Sequence, residues 1–83
     1  MKRIREVVDC RTIETARYRG YGIRAVCAYN ISADDFLVHL YITPPSGPEV
    51  RVFQPPRSEN TLDDALDHAF FEAMKEVDQL VLE

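Results

Sequence analysis

The feature that most constrains this chain is an apolar stripe at helical spacing in its last third, following strands, loops and prolines. The stripe runs through Leu62, Ala65, Leu66, Ala69, Phe70, Ala73, Met74, Val77, Leu80 and Val81. Apolar residues that return every three to four positions lie along one face of a helix. A helix of this length is not stable alone in water, so its stripe must cover a second surface. The alternating segments upstream supply that surface, and the combination predicts a small α+β domain. The stripe carries no information about a reaction.

The helix has a clean start. Thr61 is a good N-cap with Asp64 three residues on, and Asp63, Asp64 and Asp67 complement the positive end of the helix dipole. Upstream, Tyr18-Arg19-Gly20-Tyr21 reads as a tight hairpin, because Gly20 accepts the positive φ that two-residue loops demand. The pattern turns extended from Thr12 into that hairpin, and further strands are predicted over 21–29, 36–42 and 50–54. A turn at 30–35 separates the first two, the proline-rich loop 43–49 separates the next, and Pro55-Pro56 stop the last. Residues 2–12 fit a short amphipathic helix or an edge strand, and the spacing of Ile4, Val7 and Val8 favours the helix. The expected fold is an antiparallel meander of three to four strands, with one long C-terminal helix on one face and a short N-terminal helix. Eighty-three residues make a single domain, 1–83.

Register follows from the turns. A turn at 30–35 pairs Ile23 with Ile42, and the pairs that follow in step put Ala25, Cys27 and Tyr29 on one face with Phe36, Val38 and Leu40. Centring the next loop on Ser46 adds Val50 and Val52 to that face, which is the predicted core under the helix. The opposite face carries Arg24, Val26, Leu37, His39, Tyr41, Arg51 and Phe53. Val26, Leu37, Tyr41 and Phe53 make most of it apolar, and a solvated sheet face is normally more polar, so a covering partner is expected there.

Charge is divided along the chain. Net charge is −4, yet residues 1–57 carry nine Lys/Arg against six Asp/Glu, whereas residues 58–83 carry one Lys against eight Asp/Glu. The two halves attract each other, which helps dock the helix. Hydrophobic content of 46% with 29% charged residues belongs to a soluble globular chain. No apolar run approaches the roughly 20 residues of a membrane span, and the basic start at Lys2-Arg3 is not followed by the apolar stretch of a signal peptide. A cytoplasmic protein with two reduced thiols is expected.

Chemistry-bearing groups are sparse. Cys27 and His39 fall on opposite sheet faces in this register and cannot form a nucleophile–base pair. Cys10 has no activating partner in its neighbourhood. Asp64, His68 and Glu72 share a helix stripe, but carboxylates belong near a helix N-terminus and His68 is placed on the solvent face, so no metal is assigned. Asp34-Asp35 is read as a turn pair. Gly20, Gly22 and Gly47 form no phosphate-cradling loop. The expectation is a chain without catalytic activity, cofactor or small-molecule substrate.

Nucleic acid is weighed on Arg24, His39, Tyr41, Arg51 and Phe53, a mixture of basic and aromatic groups suited to stacking single-stranded bases. Duplex recognition is disfavoured, because double-stranded RNA-binding domains place basic residues where this chain reads Ser58-Glu59-Asn60-Thr61-Leu62-Asp63-Asp64. The string Tyr18-Arg19-Gly20-Tyr21-Gly22-Ile23, a strand meander, and a helix entered through Thr61-Leu62-Asp63-Asp64-Ala65 resemble small bacterial α+β domains of unknown function. The likeness spans roughly residues 13–78 and implies a bacterial source, with no activity or site residues attached. The leading expectation is a protein-interaction domain that associates with itself or another protein through the second sheet face. Phe71 is a further contact point, because helix geometry turns it away from the stripe. The alternative is a single-strand nucleic-acid or regulatory binding module on the same face.

Overall fold

The computed structural model describes residues 1–52 and 61–82. Five strands, β1 (Ile4–Val8), β2 (Arg11–Tyr18), β3 (Tyr21–Asn30), β4 (Asp35–Thr43) and β5 (Val50–Val52), precede one helix, α1 (Leu62–Leu82). The strands form an antiparallel meander in chain order, each hydrogen-bonded to the next. Helix α1 packs across β3 and β4 on one face of the sheet.

The expected N-terminal helix is a hairpin instead. Residues 2–12 contain β1 and the start of β2, which makes the sheet five-stranded rather than three- to four-stranded. The turn between these strands is Asp9-Cys10, with Val8 opposite Arg11 and Asp9 at φ 56°. Asp tolerates this left-handed geometry better than most residues, so the hairpin closes without the glycine that would have marked it. The reason a strand wins is tertiary. In a strand Arg3 and Arg5 point to the same side, and both close on the carboxylate of Glu14 at 3.3 and 2.7 Å.

Elsewhere the turn chemistry sets the ladder. Arg19 and Gly20 both have positive φ, 54° and 84°, between the paired Tyr18 and Tyr21, so the β2–β3 loop is the two-residue hairpin its sequence predicts. Asn30 pairs with Asp35 around the next turn, where Ser32 N donates to Asn30 Oδ1 and the Tyr29 hydroxyl donates to Asp34. Ile23 faces Ile42, Ala25 faces Leu40 and Cys27 faces Val38, while Ile42 and Leu40 face Val50 and Val52. This is the predicted register. The last strand is described only to Val52, and the rest of the predicted 50–54 segment lies outside the described residues.

The core is the seam between these residues and the helix. Ile23, Ala25, Cys27, Leu40 and Ile42 meet Ala65, Leu66, Ala69, Phe70, Ala73 and Val77, all buried. Thr61 caps the helix as expected, its Oγ1 accepting from Asp64 N and its carbonyl from Ala65 N, each at 3.1 Å. The last part of the stripe differs from expectation: Leu80 and Val81 are exposed.

Two polar clasps hold the helix down. At its start, Arg5 reaches Asp63 and Arg3 reaches Asp67 while both hold Glu14, a carboxylate only 4% exposed. The Arg3 guanidinium also lies 5.0 Å from the Phe70 ring centre. Further along, Asp78 accepts from the Tyr18 hydroxyl and from Arg19, both at 2.9 Å. These bonds hold the Asp78 carboxyl below its ordinary value, Arg19 being the larger cause, and hold the Tyr18 phenol above its own. The attraction between basic and acidic halves is thus realised as contacts. No helix among the described residues is long and apolar enough to cross a membrane.

Candidate functional site

Parity in the ladder fixes which side chains share the face that α1 leaves open. One row across the strands reads Ile4, Thr15, Arg24, Tyr41, Arg51; the next reads Glu6, Ile13, Val26, His39; the last reads Val8, Arg11, Ala28, Leu37. The face therefore has two halves. At the end near the β1–β2 turn, Val8, Ile13, Val26, Ala28 and Leu37 form a mainly aliphatic block that also carries Glu6, Arg11 and His39. Arg17, Arg24, Tyr41 and Arg51 make the other half basic, with Tyr41 among them.

The basic half is internally paired. Arg24 stacks on Tyr41, its guanidinium carbon 4.4 Å from the ring centre, and forks onto Glu49 at 2.8 and 3.1 Å. A bidentate arginine–carboxylate pair is the stronger kind, and here it draws the Glu49 carboxyl below its usual range. Arg51 Nη2 lies 2.8 Å from His39 Nδ1. Guanidinium can only donate, so His39 accepts through Nδ1 and leaves Nε2–H for solvent or a partner. Two shallow concavities meet at Arg24. One, about 440 Å³, is floored by Ile13, Val26, Ala28 and Tyr41. The other, about 520 Å³, lies between Lys2, Ile4, Arg17 and Glu49.

Of the residues predicted for this surface, Arg24, Val26, Leu37, His39, Tyr41 and Arg51 share the open face. Phe53 lies outside the described residues. Phe71 is 57% exposed, with Lys75 Nζ 5.1 Å from its ring centre, on the helix that packs against the opposite side of the sheet. It is a separate surface. Sequence reading left Val8, Arg11 and Ile13 off this surface, and they join it through the pairing of β1 with β2 and of β2 with β3. The alternation of Arg11, Ile13, Thr15 and Arg17 was the available signal.

Catalytic groupings do not assemble. Cys27 is buried under the helix, its thiol pushed up to about 11 by desolvation, while His39 is exposed on the other face. A thiol that stays protonated is a poor nucleophile. Cys10 is exposed at the β1–β2 turn. His68 is half-buried rather than on the solvent face, with Nε2 3.8 Å from Glu72. Among the described residues no three His, Cys, Asp or Glu side chains are grouped to hold a metal ion. Comparison with known protein families, curated proteins and solved structures finds no match to this chain.

Proposed function

We propose that this chain is a non-enzymatic protein-interaction module whose open sheet face docks a protein partner, a second copy of itself included. The observation that carries the reading is the aliphatic block of Val8, Ile13, Val26, Ala28 and Leu37 on a face that the chain's own helix does not cover. Strand spacing and rise give two rows across four strands a footprint of roughly 250–300 Å². That is well below the roughly 800 Å² per partner of a stable interface. Contact through this block alone is therefore weak, and the arginine rows around it take part in any tight complex.

The test is oxidative footprinting of Leu37 and Tyr41 alongside solution mass, from micromolar to millimolar protein, for wild type and Val26→Lys. Protection that grows with mass and disappears in the variant supports docking on this face. Mass that rises while both side chains stay fully reactive refutes self-association there.

A second reading, single-strand nucleic-acid binding, draws support from Arg24, Arg51 and His39 lying together. Against it, the face of Tyr41 is occupied by Arg24, and Arg24 is neutralised by Glu49. Among the described residues the apolar part of the face is aliphatic and offers no stacking platform. Titration with a single-stranded oligonucleotide separates the readings, since binding that weakens steeply with salt would favour this one.

A further inference from the structure

Strand β1 is an edge strand with unusual exposure. All five of its residues are exposed, with Ile4 at 62% and Val7 at 68%, and these two point to opposite faces. Helix α1 packs on β3 and β4, so β1 lies beyond the apolar core and meets the helix only through the Arg5–Asp63 pair among the described contacts. Natural edges are blunted by charged side chains, inward-pointing charges, proline, a bulge or shortness. Strand β1 pairs continuously with β2 over five positions and contains no proline; of its two charges, Arg5 is held by Glu14 and Asp63 on the helix side and Glu6 stands on the open face.

The β1–β2 turn also fixes which backbone groups are free. A two-residue loop makes its flanking pair, Val8 and Arg11, the hydrogen-bonded one. Alternation then turns the N–H and C=O of Arg5 and Val7 away from β2, on the side where no strand among the described residues pairs with them.

We propose that two copies of this chain pair β1 to β1 antiparallel about a two-fold axis centred on Ile4, joining two five-stranded sheets into one. This interface is separate from the open face and does not rest on the docking proposed there. The axis stands perpendicular to the sheet, so each residue keeps its face and the register must centre on one residue. Centring on Glu6 sets two carboxylates against each other, and centring on Arg5 sets two arginines together and Ile4 against Glu6. Centring on Ile4 places it against its own counterpart, Lys2 against Glu6 of the second copy, and Met1 against Val7 of the second copy. The Ile4 and Lys2–Glu6 contacts fall at the non-hydrogen-bonded positions, where side chains approach most closely. Arg3 then faces Arg5 of the second copy, but each is already neutralised by Glu14 and by Asp67 or Asp63. Each copy uses its single β1 edge in this isologous contact, so the pairing closes at two copies.

Analytical ultracentrifugation of four proteins tests this: wild type, Val7→Pro, Lys2→Glu, and Lys2→Glu with Glu6→Lys. Proline at Val7 removes an N–H that β2 does not use, so circular dichroism should match wild type. The expected result is a wild-type dimer, a monomeric Val7→Pro, at least a roughly tenfold weaker Lys2→Glu dimer, and recovery in the charge-swapped double variant. A wild type that stays monomeric at millimolar concentration overturns the proposal. So does a Val7→Pro that still dimerises, or a double variant as weak as the single. A dimer abolished by Val26→Lys but kept by Val7→Pro assigns self-association to the open face, which overturns the edge pairing and leaves the docking reading standing.

Discussion

The buried carboxylate of Glu14 allows a prediction about asymmetry. Its side chain is 5% exposed, whereas Arg3 and Arg5 are 28% and 41% exposed. Each arginine has a second partner on the helix, Asp67 at 2.6 Å and Asp63 at 2.8 Å. Glu14→Gln therefore strands two cations that keep both water and another carboxylate, and the expected loss is about 1–2 kcal/mol. Removing both arginines is different, because it leaves a carboxylate inside the protein without its cations. Methionine is the suitable replacement, since it keeps an unbranched apolar side chain at both positions without the charge. Arg3→Met with Arg5→Met should cost about 3–5 kcal/mol, as buried pairs do when one side is deleted. A chain of this size has about 4–12 kcal/mol in total, so the double variant keeps a small margin or none. Urea unfolding followed by circular dichroism measures both, and in thermal melts each kcal/mol should appear as about 4–8 °C. If the arginine double variant is no less stable than Glu14→Gln, the clasp is a surface feature and the burial argument is wrong.

Leu66→Ala, at a fully buried position on the helix seam, should cost about 2–5 kcal/mol, and a melt within a few degrees of wild type would contradict the packing described. Phe71→Ser should cost at most about 1 kcal/mol, the worth of an exposed ring under Lys75, while weakening any association that uses the outer helix face; unchanged sedimentation would remove Phe71 from the contact surface. Gly20→Ala places a side chain at φ 84° and should cost about 1–2 kcal/mol in chemical unfolding; a neutral result would mean that the β2–β3 loop relaxes to another turn. The Asp78 clasp contributes stability above the ordinary aspartate range that is lost as pH falls through its lowered value. It also contributes stability below the ordinary tyrosine range that is lost as pH rises through the raised value of Tyr18. Melting midpoints of wild type and Asp78→Asn should therefore converge at both extremes of pH and differ most between them, and parallel curves would count against the clasp.

The half of the fold from Tyr21 onward was legible because its signals are local and agree. Gly20 marks one hairpin, Asn30 through Asp35 mark another turn, and strict alternation between them leaves one register that buries Ile23, Ala25, Leu40 and Ile42 together. The helix phase was equally legible, down to Phe71 on the outer side. Periodicity describes a face, however, and does not show how far the covered surface extends. Leu80 and Val81 therefore read as core although both are exposed.

Residues 2–12 were illegible for a definite reason. Ile4, Val7 and Val8 satisfy helical spacing, and in the strand they are exposed, so apolar periodicity there did not report burial. The informative residues were the charged ones. Positions 3 and 5 lie about 200° apart on a helix, at 100° per residue, but on the same side of a strand. Only the strand lets Arg3 and Arg5 meet on Glu14, itself placed beneath the helix by the same alternation. A charge pattern with period two opposite a lone buried acid was thus the strand signal, and apolar spacing masked it. The consequence reaches the candidate site. Reading those residues as a helix removes Val8 and Arg11 from the open face, and with Val8 one of the five members of its aliphatic block. It also hides the one long exposed edge among the described residues, because a helix has no edge to offer. The surfaces proposed for association were therefore least visible where local pattern and tertiary charge pairing disagreed.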